Sequence, residues 1–531
     1  MKFFLRCFLA ACFLGSQILI NCTARADASD TLKIALVHYG VKYKDPEQNL
    51  KELLRLNRKA AREGALLILN TELAVSGYSF KSRQDIAPFT ETDQGRTIQT
   101  MGEVAREFGV YIGITFPERD PSTESYYNGA FVLDPQGQLV CKYHKIYAER
   151  RWARSGSPYQ EGVFETPWGR IGVAICADSY FGLIPRTMAL KKVDFLWVPA
   201  NWPPSTNLSP LEVWRARALE NGFYLAACNR TGKDCTMDCK QAVSGVIDPT
   251  GAPIFSGSSE SSKVFFADIP LDAKGRFGDT CRQRQMRSRK IDLYRQIYLD
   301  PWVENLTRYY QLPETGMLDV HCFVPSSSRI SFTVMETAIS ERDTDQPSLW
   351  ILPELSADQV KQEDLLKLSK THGVAFALSM PAGGGPPVPG LITPRGIQTF
   401  VEPDTVPPRV FPFKLLHYGP AAIGMVPMEA FRHPELAVVL AKLGCDLVVV
   451  SEGKLSSEDL LLSRMRALNG VAVAVCSNNV AEITCVKGLH GNLDQQHQTR
   501  PGVCTYGLDT ARTRKKNFMY RIDYDLLLKK E

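Results

Sequence analysis

The sequence predicts a layered α/β sandwich, present twice along the chain, and three observations carry that prediction. Three short apolar runs read as buried strands, and each delivers one ionisable residue at its end. Residues 65–77 (ALLILNTELAVSG) deliver Glu72, residues 137–147 (GQLVCKYHKIY) deliver Lys145, and residues 169–178 (GRIGVAICAD) deliver Cys176. Around them, strand-like and helix-like segments alternate from about residue 30 to 275. The same order of segments then returns in the second half of the chain.

Taken in order, residues 32–38 form the opening strand. Residues 49–63 carry Leu50, Leu53, Leu54, Leu56 and Ala60 at helical spacing. The strand reaching Glu72 follows, then a helix over 97–107 and a strand over 111–116. Residues 127–132 read as a strand, and Asp134-Pro135-Gln136-Gly137 as a turn built on proline and glycine. Arg170 to Ala177 reads as the strand carrying Cys176, with a helix over 184–191 leaving it. A strand to Trp197, a helix over 215–221, a strand over 223–228 and a hairpin about Asp248-Pro249-Thr250-Gly251 complete the first half.

Met1–Ala26 reads as a processing segment: Lys2 and Arg6, an apolar run from Phe8 to Ile20, then Ala24-Arg25-Ala26 as a small-x-small cleavage site. Cys22 would suit lipid attachment, but Asn21 stands where a small residue is needed. The expectation is a protein exported to a periplasm or outside the cell, without stable membrane insertion, since no other stretch is apolar enough to cross a bilayer. Lys+Arg 62 nearly balance Asp+Glu 57, with no long basic run, which argues against nucleic acid as a partner. The eight histidines are scattered without an H-x-x-x-H pair, so no metal and no cofactor is expected.

In an oxidising compartment the cysteines beyond Cys7, Cys12 and Cys22 would pair. With Cys176 set aside, Cys141, Cys228, Cys235, Cys239, Cys281, Cys322, Cys445, Cys476, Cys485 and Cys504 allow up to five disulfides, the pairing not being readable from sequence. Cys235 and Cys239 read better as a disulfide-bearing loop than as half of a metal clamp.

Cys176 alone would read as a small core hydrophobe. Its company changes that. The glutamate motif Asn70-Thr71-Glu72 with Gly77-Tyr78, the lysine motif Tyr143-His144-Lys145 and the cysteine motif 172–178 resemble those of the nitrilase, or carbon–nitrogen hydrolase, superfamily. Two further segments are similar to that family: Val198-Pro199-Ala200-Asn201-Trp202-Pro203 and Trp214-Arg215-Ala216-Arg217-Ala218-Leu219-Glu220-Asn221. The resemblance implies a four-layer α-β-β-α sandwich and a Glu72-Lys145-Cys176 triad. A resting thiol is mostly protonated at neutral pH, so attack on an amide needs a base, for which Glu72 is placed. Lys145 and the backbone N–H of Ala177 suit the oxyanion. Relatives carry a further glutamate after the lysine, matched here by Glu149. Thr71 departs from the family, where a proline commonly precedes the glutamate. Trp202 would wall the substrate pocket beside Asn201, and Arg215, Arg217 and Glu220 would form a structural ion-pair network.

In the second half, Arg329-Ile330-Ser331-Phe332 is set against Lys33-Ile34-Ala35-Leu36, and residues 350–355 against 68–73 around Glu354. Pro394-Arg395-Gly396, Tyr418-Gly419 and Ile423-Gly424 echo Pro135-Gln136-Gly137, Trp168-Gly169 and Ile171-Gly172. Residues 464–470 echo 215–222, leading to Cys476 against Cys228. The repeat is degenerate: the lysine position falls on Asp404 and the cysteine position on Met428, and Glu354 alone survives. The predicted organisation is a leader over 1–26 and a catalytic domain over 30–275. A connector over 276–325 with an aromatic cluster (Tyr294, Tyr298, Trp302, Tyr309, Tyr310) packs on the domains, and a degenerate domain covers 326–531. The second domain is expected to dock on the first as an internal pseudo-dimer, with higher oligomers open. The plan is similar to that of secreted pantetheinases and biotinidases. The implied activity is hydrolysis of a small amide or N-carbamoyl compound, the alternatives being an N-carbamoylputrescine amidase, a pantetheinase-like amidase, or a non-catalytic scaffold.

Overall fold

The computed structural model describes residues 30–205, 208–278, 280–298, 306–326, 330–342, 345–355, 361–382, 385–401, 413–487, 492–518 and 521–529. The leader over 1–26, Trp302, Arg329 and Asp404 lie outside these residues. The strands of the first half are β1 (Thr31–His38), β2 (Leu67–Asn70), β3 (Tyr111–Asp120), β4 (Ser125–Leu133), β5 (Leu139–His144), β6 (Val163–Thr166), β7 (Gly169–Val173), β8 (Phe195–Ala200), β9 (Tyr224–Asn229), β10 (Ser244–Ile247), β11 (Pro253–Gly257) and β12 (Lys263–Pro270). They form two six-stranded sheets, in the orders β12-β1-β2-β3-β4-β5 and β11-β10-β9-β8-β7-β6.

Each sheet has a parallel centre, β1-β2-β3 and β7-β8-β9. Parallel neighbours need crossovers, supplied by helices Pro46–Arg62, Arg96–Phe108, Leu183–Leu190 and Pro210–Asn221. Local sequence sets their ends. Asp45 accepts from the Gln48 N–H with Pro46 at the first position, and Ser209 and Glu212 make a capping box ahead of a left-handed Gly222. Side chains then sort by a period of two. Leu67 and Leu69 enter the core between the sheets, while Ile68 joins Leu53, Leu56 and Met101 under the outer helices.

The second half repeats this plan strand for strand: β13 (Met317–Val324), β14 (Ser348–Ile351), β15 (Ala375–Ala382), β16 (Gly385–Thr393), β17 (Gly396–Thr399), β18 (Leu416–Tyr418), β19 (Ala421–Met425), β20 (Leu447–Ser451), β21 (Ala472–Cys476), β22 (Ala481–Val486), β23 (Leu493–Gln498) and β24 (Gly502–Asp509). The sheet orders are β17-β16-β15-β14-β13-β24 and β18-β19-β20-β21-β22-β23, so the protein is two tandem four-layer sandwiches. Leu349 and Ile351 face the inner core and Trp350 the outer one, which aligns Glu354 with Glu72. The Glu72 N–H donates to Ala200 O (3.4 Å), and the Glu354 N–H to Glu452 O (3.3 Å), just beyond β20. Met428 stands three residues after β19, as Cys176 does after β7.

Helices Leu183–Leu190 and Pro210–Asn221 pack on Pro434–Lys442, Ser457–Ala467 and Tyr524–Leu528, so the halves sit as two subunits within one chain. Their apolar cores merge there: Leu183, Met188 and Trp214 share one cluster with Phe431, Leu436 and Met465. No helix among the described residues is long and apolar enough to cross a membrane.

Several expectations are corrected. The strand read over 170–177 ends at Val173, because the chain leaves the sheet to build the turn that carries Cys176. Residues 330–332 are not the repeat of β1: Ser331 caps helix Phe332–Ser340, and the true counterpart is Met317–Val324, inside the stretch read as connector. The connector's aromatics divide. Tyr294 is buried, whereas Tyr298 and Tyr309 are half or more exposed. The cysteines do not pair; all eleven within the described residues are free. Most are packed as small apolar groups on core strands, with thiols on backbone carbonyls, as Cys228 Sγ is on Val37 O (3.4 Å) and Cys476 Sγ on Phe323 O (3.3 Å).

Candidate active site

The site lies where β2, β5, β7 and β8 run out. Beyond β7, the Ala174 N–H still pairs with Trp197 O (3.0 Å), and residues Cys176–Ser179 then close into a single 3₁₀ turn. Cys176 adopts φ +46°, a left-handed conformation that costs a non-glycine residue of order 1–3 kcal/mol. The turn is tied at both ends. The Ser179 hydroxyl donates to Cys176 O (2.6 Å). The Asp178 carboxylate accepts from Ile175 N–H (3.2 Å), Ile146 N–H (3.3 Å), Tyr147 N–H (2.7 Å) and the Tyr143 hydroxyl (2.8 Å). Asp178 thereby fastens the lysine loop to the cysteine turn, and burial lifts its carboxyl to about 6.

Glu72 follows β2 directly. Thr71, in the place where the family carries proline, donates its hydroxyl to Ala200 O and binds β2 to the end of β8. Lys145 follows β5, with its N–H on Asn128 O (2.9 Å). These placements bring three buried charges together. Lys145 Nζ donates to Glu72 Oε1 (2.7 Å) and to Glu149 Oε1. Asn128 Nδ2 bridges Glu72 Oε1 (2.8 Å) and Glu149 Oε2 (3.1 Å), and the Tyr78 hydroxyl donates to Glu149 Oε1 (2.9 Å). Glu72 and Lys145 are each 1% exposed and Cys176 7%. Glu72 Oε2 accepts no hydrogen bond from the described residues.

The two carboxylates differ in what surrounds them. Burial pushes Glu72 up against the partial relief of Lys145. Glu149 is buried as well, yet Lys145, Asn128 and Tyr78 hold it below the usual carboxylate range. Burial opposes the Lys145 ammonium, but the two glutamates outweigh it and keep that group charged. The Cys176 thiol is pushed well up, first by burial and then by the neighbouring Glu72 carboxylate, while the Asn201 backbone N–H works in the other direction. The arrangement therefore holds a neutral thiol beside a carboxylate with a spare oxygen and a fixed ammonium. Such a set can move a proton off the sulfur and stabilise a developing oxyanion.

The structure brings Glu72, Lys145, Cys176 and Glu149 into one cluster, with Ala177 next in the turn. Asn201 faces the sulfur with its backbone; its side-chain oxygen accepts from Arg230 Nε in a network with Asp234. Trp202 is part-buried in an aromatic row, 5.9 Å from the Trp214 ring and 6.0 Å from that of Tyr180, which continues through Phe181 to Tyr147. Arg217 and Glu220 pair at 2.6 Å, whereas Arg215 donates to Gly251 O (2.8 Å) instead of joining them. Asn128, Tyr78 and Asp178 carry further hydrogen bonds of the site; Tyr78 and Asp178 stand within the sequence motifs but with no role read for them, and Asn128 only within the strand over 127–132. A lone Asn inside the apolar run of β4 was the available signal for Asn128.

The carbon–nitrogen hydrolase family model matches residues 33–277, ending before the second sandwich. A nitrilase of Pyrococcus abyssi is 31% identical over 246 residues, covering 45% of this chain and 90% of its own. An omega-amidase of Xenopus tropicalis is 29% identical over 261 residues (46% and 91%), and a 2-oxoglutaramate amidase of Bacillus subtilis 27% over 248 residues (45% and 90%). With a two-sheet sandwich of this order and a relative matched over nine-tenths of its length, the chain belongs to the carbon–nitrogen hydrolase family.

Proposed function

We propose that the first sandwich hydrolyses a small amide through a thioester on Cys176, releasing ammonia or an amine. The observation that carries this reading is the buried Glu72–Lys145–Glu149 cluster beside a strained cysteine. Glu72 takes the thiol proton as sulfur attacks the carbonyl carbon. The oxyanion meets the Lys145 ammonium and the Ala177 N–H. Glu72 returns the proton to the leaving nitrogen, the C–N bond breaks, and the same carboxylate then deprotonates the water that opens the thioester. Glu149 keeps Lys145 charged throughout. Because Glu149 is fully engaged by Lys145, Asn128 and Tyr78, it offers no free carboxylate to a cationic amine. That disfavours the cationic N-carbamoylputrescine, and the names of the two amidase relatives are those of enzymes acting on amides. We also propose export, on the leader over 1–26.

The test is ammonia release by the full chain against small amides, carbamoyl amines, ureides, nitriles and pantetheine, with Cys176→Ala in parallel. Release that vanishes in the variant is expected. Silence across the panel, with Cys176 also unmodified by iodoacetamide, would instead indicate a binding protein.

A pH profile probes the base. Since the Glu72 charge helps hold the thiol neutral, alkylation of Cys176 should rise with pH, and in Glu72→Gln the rise should begin at lower pH. A profile that stays in place in the variant would separate Glu72 from the thiol.

A further inference from the structure

The 3₁₀ turn bearing Cys176 is held from behind by Arg217, whose Nε donates to Ser179 O (2.9 Å) and Nη2 to Tyr180 O (2.7 Å). The second sandwich repeats the device: Arg466 Nε donates to Phe431 O (3.1 Å) and Nη2 to Arg432 O, at the equivalent turn after β19. One carboxylate serves both arginines. Glu220 Oε1 accepts from Arg217 Nη1 (2.6 Å) and Oε2 from Arg466 Nη1 (2.7 Å), all three side chains being 1% exposed or less. The halves meet closely at this point, since a Cβ on Gly182 would stand 2.7 Å from Pro434 Cβ and 3.1 Å from Arg217 Nη1.

We infer that Arg466 of the second sandwich is a positioning residue for the nucleophile of the first, acting through Glu220 and Arg217; this rests on Cys176 being that nucleophile. A carboxylate gripped at both oxygens has one orientation, and it fixes the guanidinium that fixes the turn. Without Arg466, Glu220 Oε2 is buried and unpartnered, and the carboxylate can rotate away from Arg217. The degenerate half is thus retained as part of the active site's support.

The experiment uses the full chain with Arg466→Met, Arg466→Lys and, as a control, Arg464→Met, which breaks the neighbouring inter-half pair with Glu212 (3.0 Å) without touching the turn. Arg466→Met should slow alkylation of Cys176 by iodoacetamide and lower kcat on the best amide of the panel about tenfold to a hundredfold. KM should stay within about twofold, as befits a loss of geometry and not of binding. Arg466→Lys should recover part of the loss, and Arg464→Met should alkylate as the wild type. Unchanged alkylation in Arg466→Met, or equal losses in Arg464→Met, would overturn the proposal. If Arg466→Met does not fold, Arg466→Lys decides alone: slower alkylation with a wild-type melting curve supports the proposal, wild-type alkylation overturns it. Ammonia release by Cys176→Ala would overturn the nucleophile itself, a failure distinguishable from either.

Discussion

Glu72→Gln is expected to reduce kcat by roughly 10²–10⁴-fold, the range spanned by removal of a general base, with the fold undisturbed. Gln is isosteric with Glu, and its Oε1 can still accept from Lys145 and Asn128 as Glu72 Oε1 does. The amide nitrogen then occupies the place of Oε2, which accepts no hydrogen bond from the described residues. No buried bond is lost, and Lys145 keeps Glu149 as its counter-ion. What disappears is the oxygen able to take the thiol proton. The pH profile makes the loss diagnostic, because the same variant should ionise Cys176 more readily while turning over less. Steady-state ammonia release and a thermal melt on one preparation check both parts. Retention of more than half of the wild-type kcat would place the base on another residue.

Glu72, Lys145 and Cys176 were legible because each ends a short apolar run, a local property, whereas Glu149 ends none and was reached only through the family resemblance. The site's hydrogen-bonding residues were less legible because pairing recruits them from a distance. Asn128 reaches Glu72 and Glu149 only because β4 lies between β3 and β5 in the sheet. Asp178 was visible as the last letter of the cysteine motif, but three of its four donors, Tyr143, Ile146 and Tyr147, come from the end of β5 and the loop after it, whose approach the sequence does not show. In the second half, the apolar run about Ile330 imitates Lys33–Leu36, whereas the true opening strand, MLDVHCFV, carries Asp319 and His321 and is fixed by pairing with β24 almost two hundred residues away. The disulfide expectation failed for a related reason: a cysteine count records composition, and cysteines spread over separate core strands serve there as free, packed side chains.

The largest effect on stability is expected at the seam between the halves, where Glu220→Ala should cost about 3–5 kcal/mol, the range for breaking a buried ion pair from one side. Both guanidiniums, Arg217 and Arg466, are 1% exposed and would lose their shared carboxylate without gaining water. By contrast, the exposed pair Arg170–Glu165 should be worth about 0–1 kcal/mol, because its charges stay solvated when separated. A second buried carboxylate reinforces the seam. Glu435 lies 3.0 Å from Arg289 and 3.5 Å from Arg186. Burial alone would raise it, but the two guanidiniums pull it down to about 2. A depressed carboxylate contributes stability that is complete above the ordinary glutamate range and lost as pH falls through about 2. The seam should therefore survive mild acid and open only in strong acid, while Glu220→Ala should weaken it already at neutral pH. Urea unfolding at pH 7 and pH 4 distinguishes these outcomes. A loss within about 1 kcal/mol for Glu220→Ala, the magnitude of an exposed pair, would mean that water reaches the arginines and that the two sandwiches are not sealed against each other.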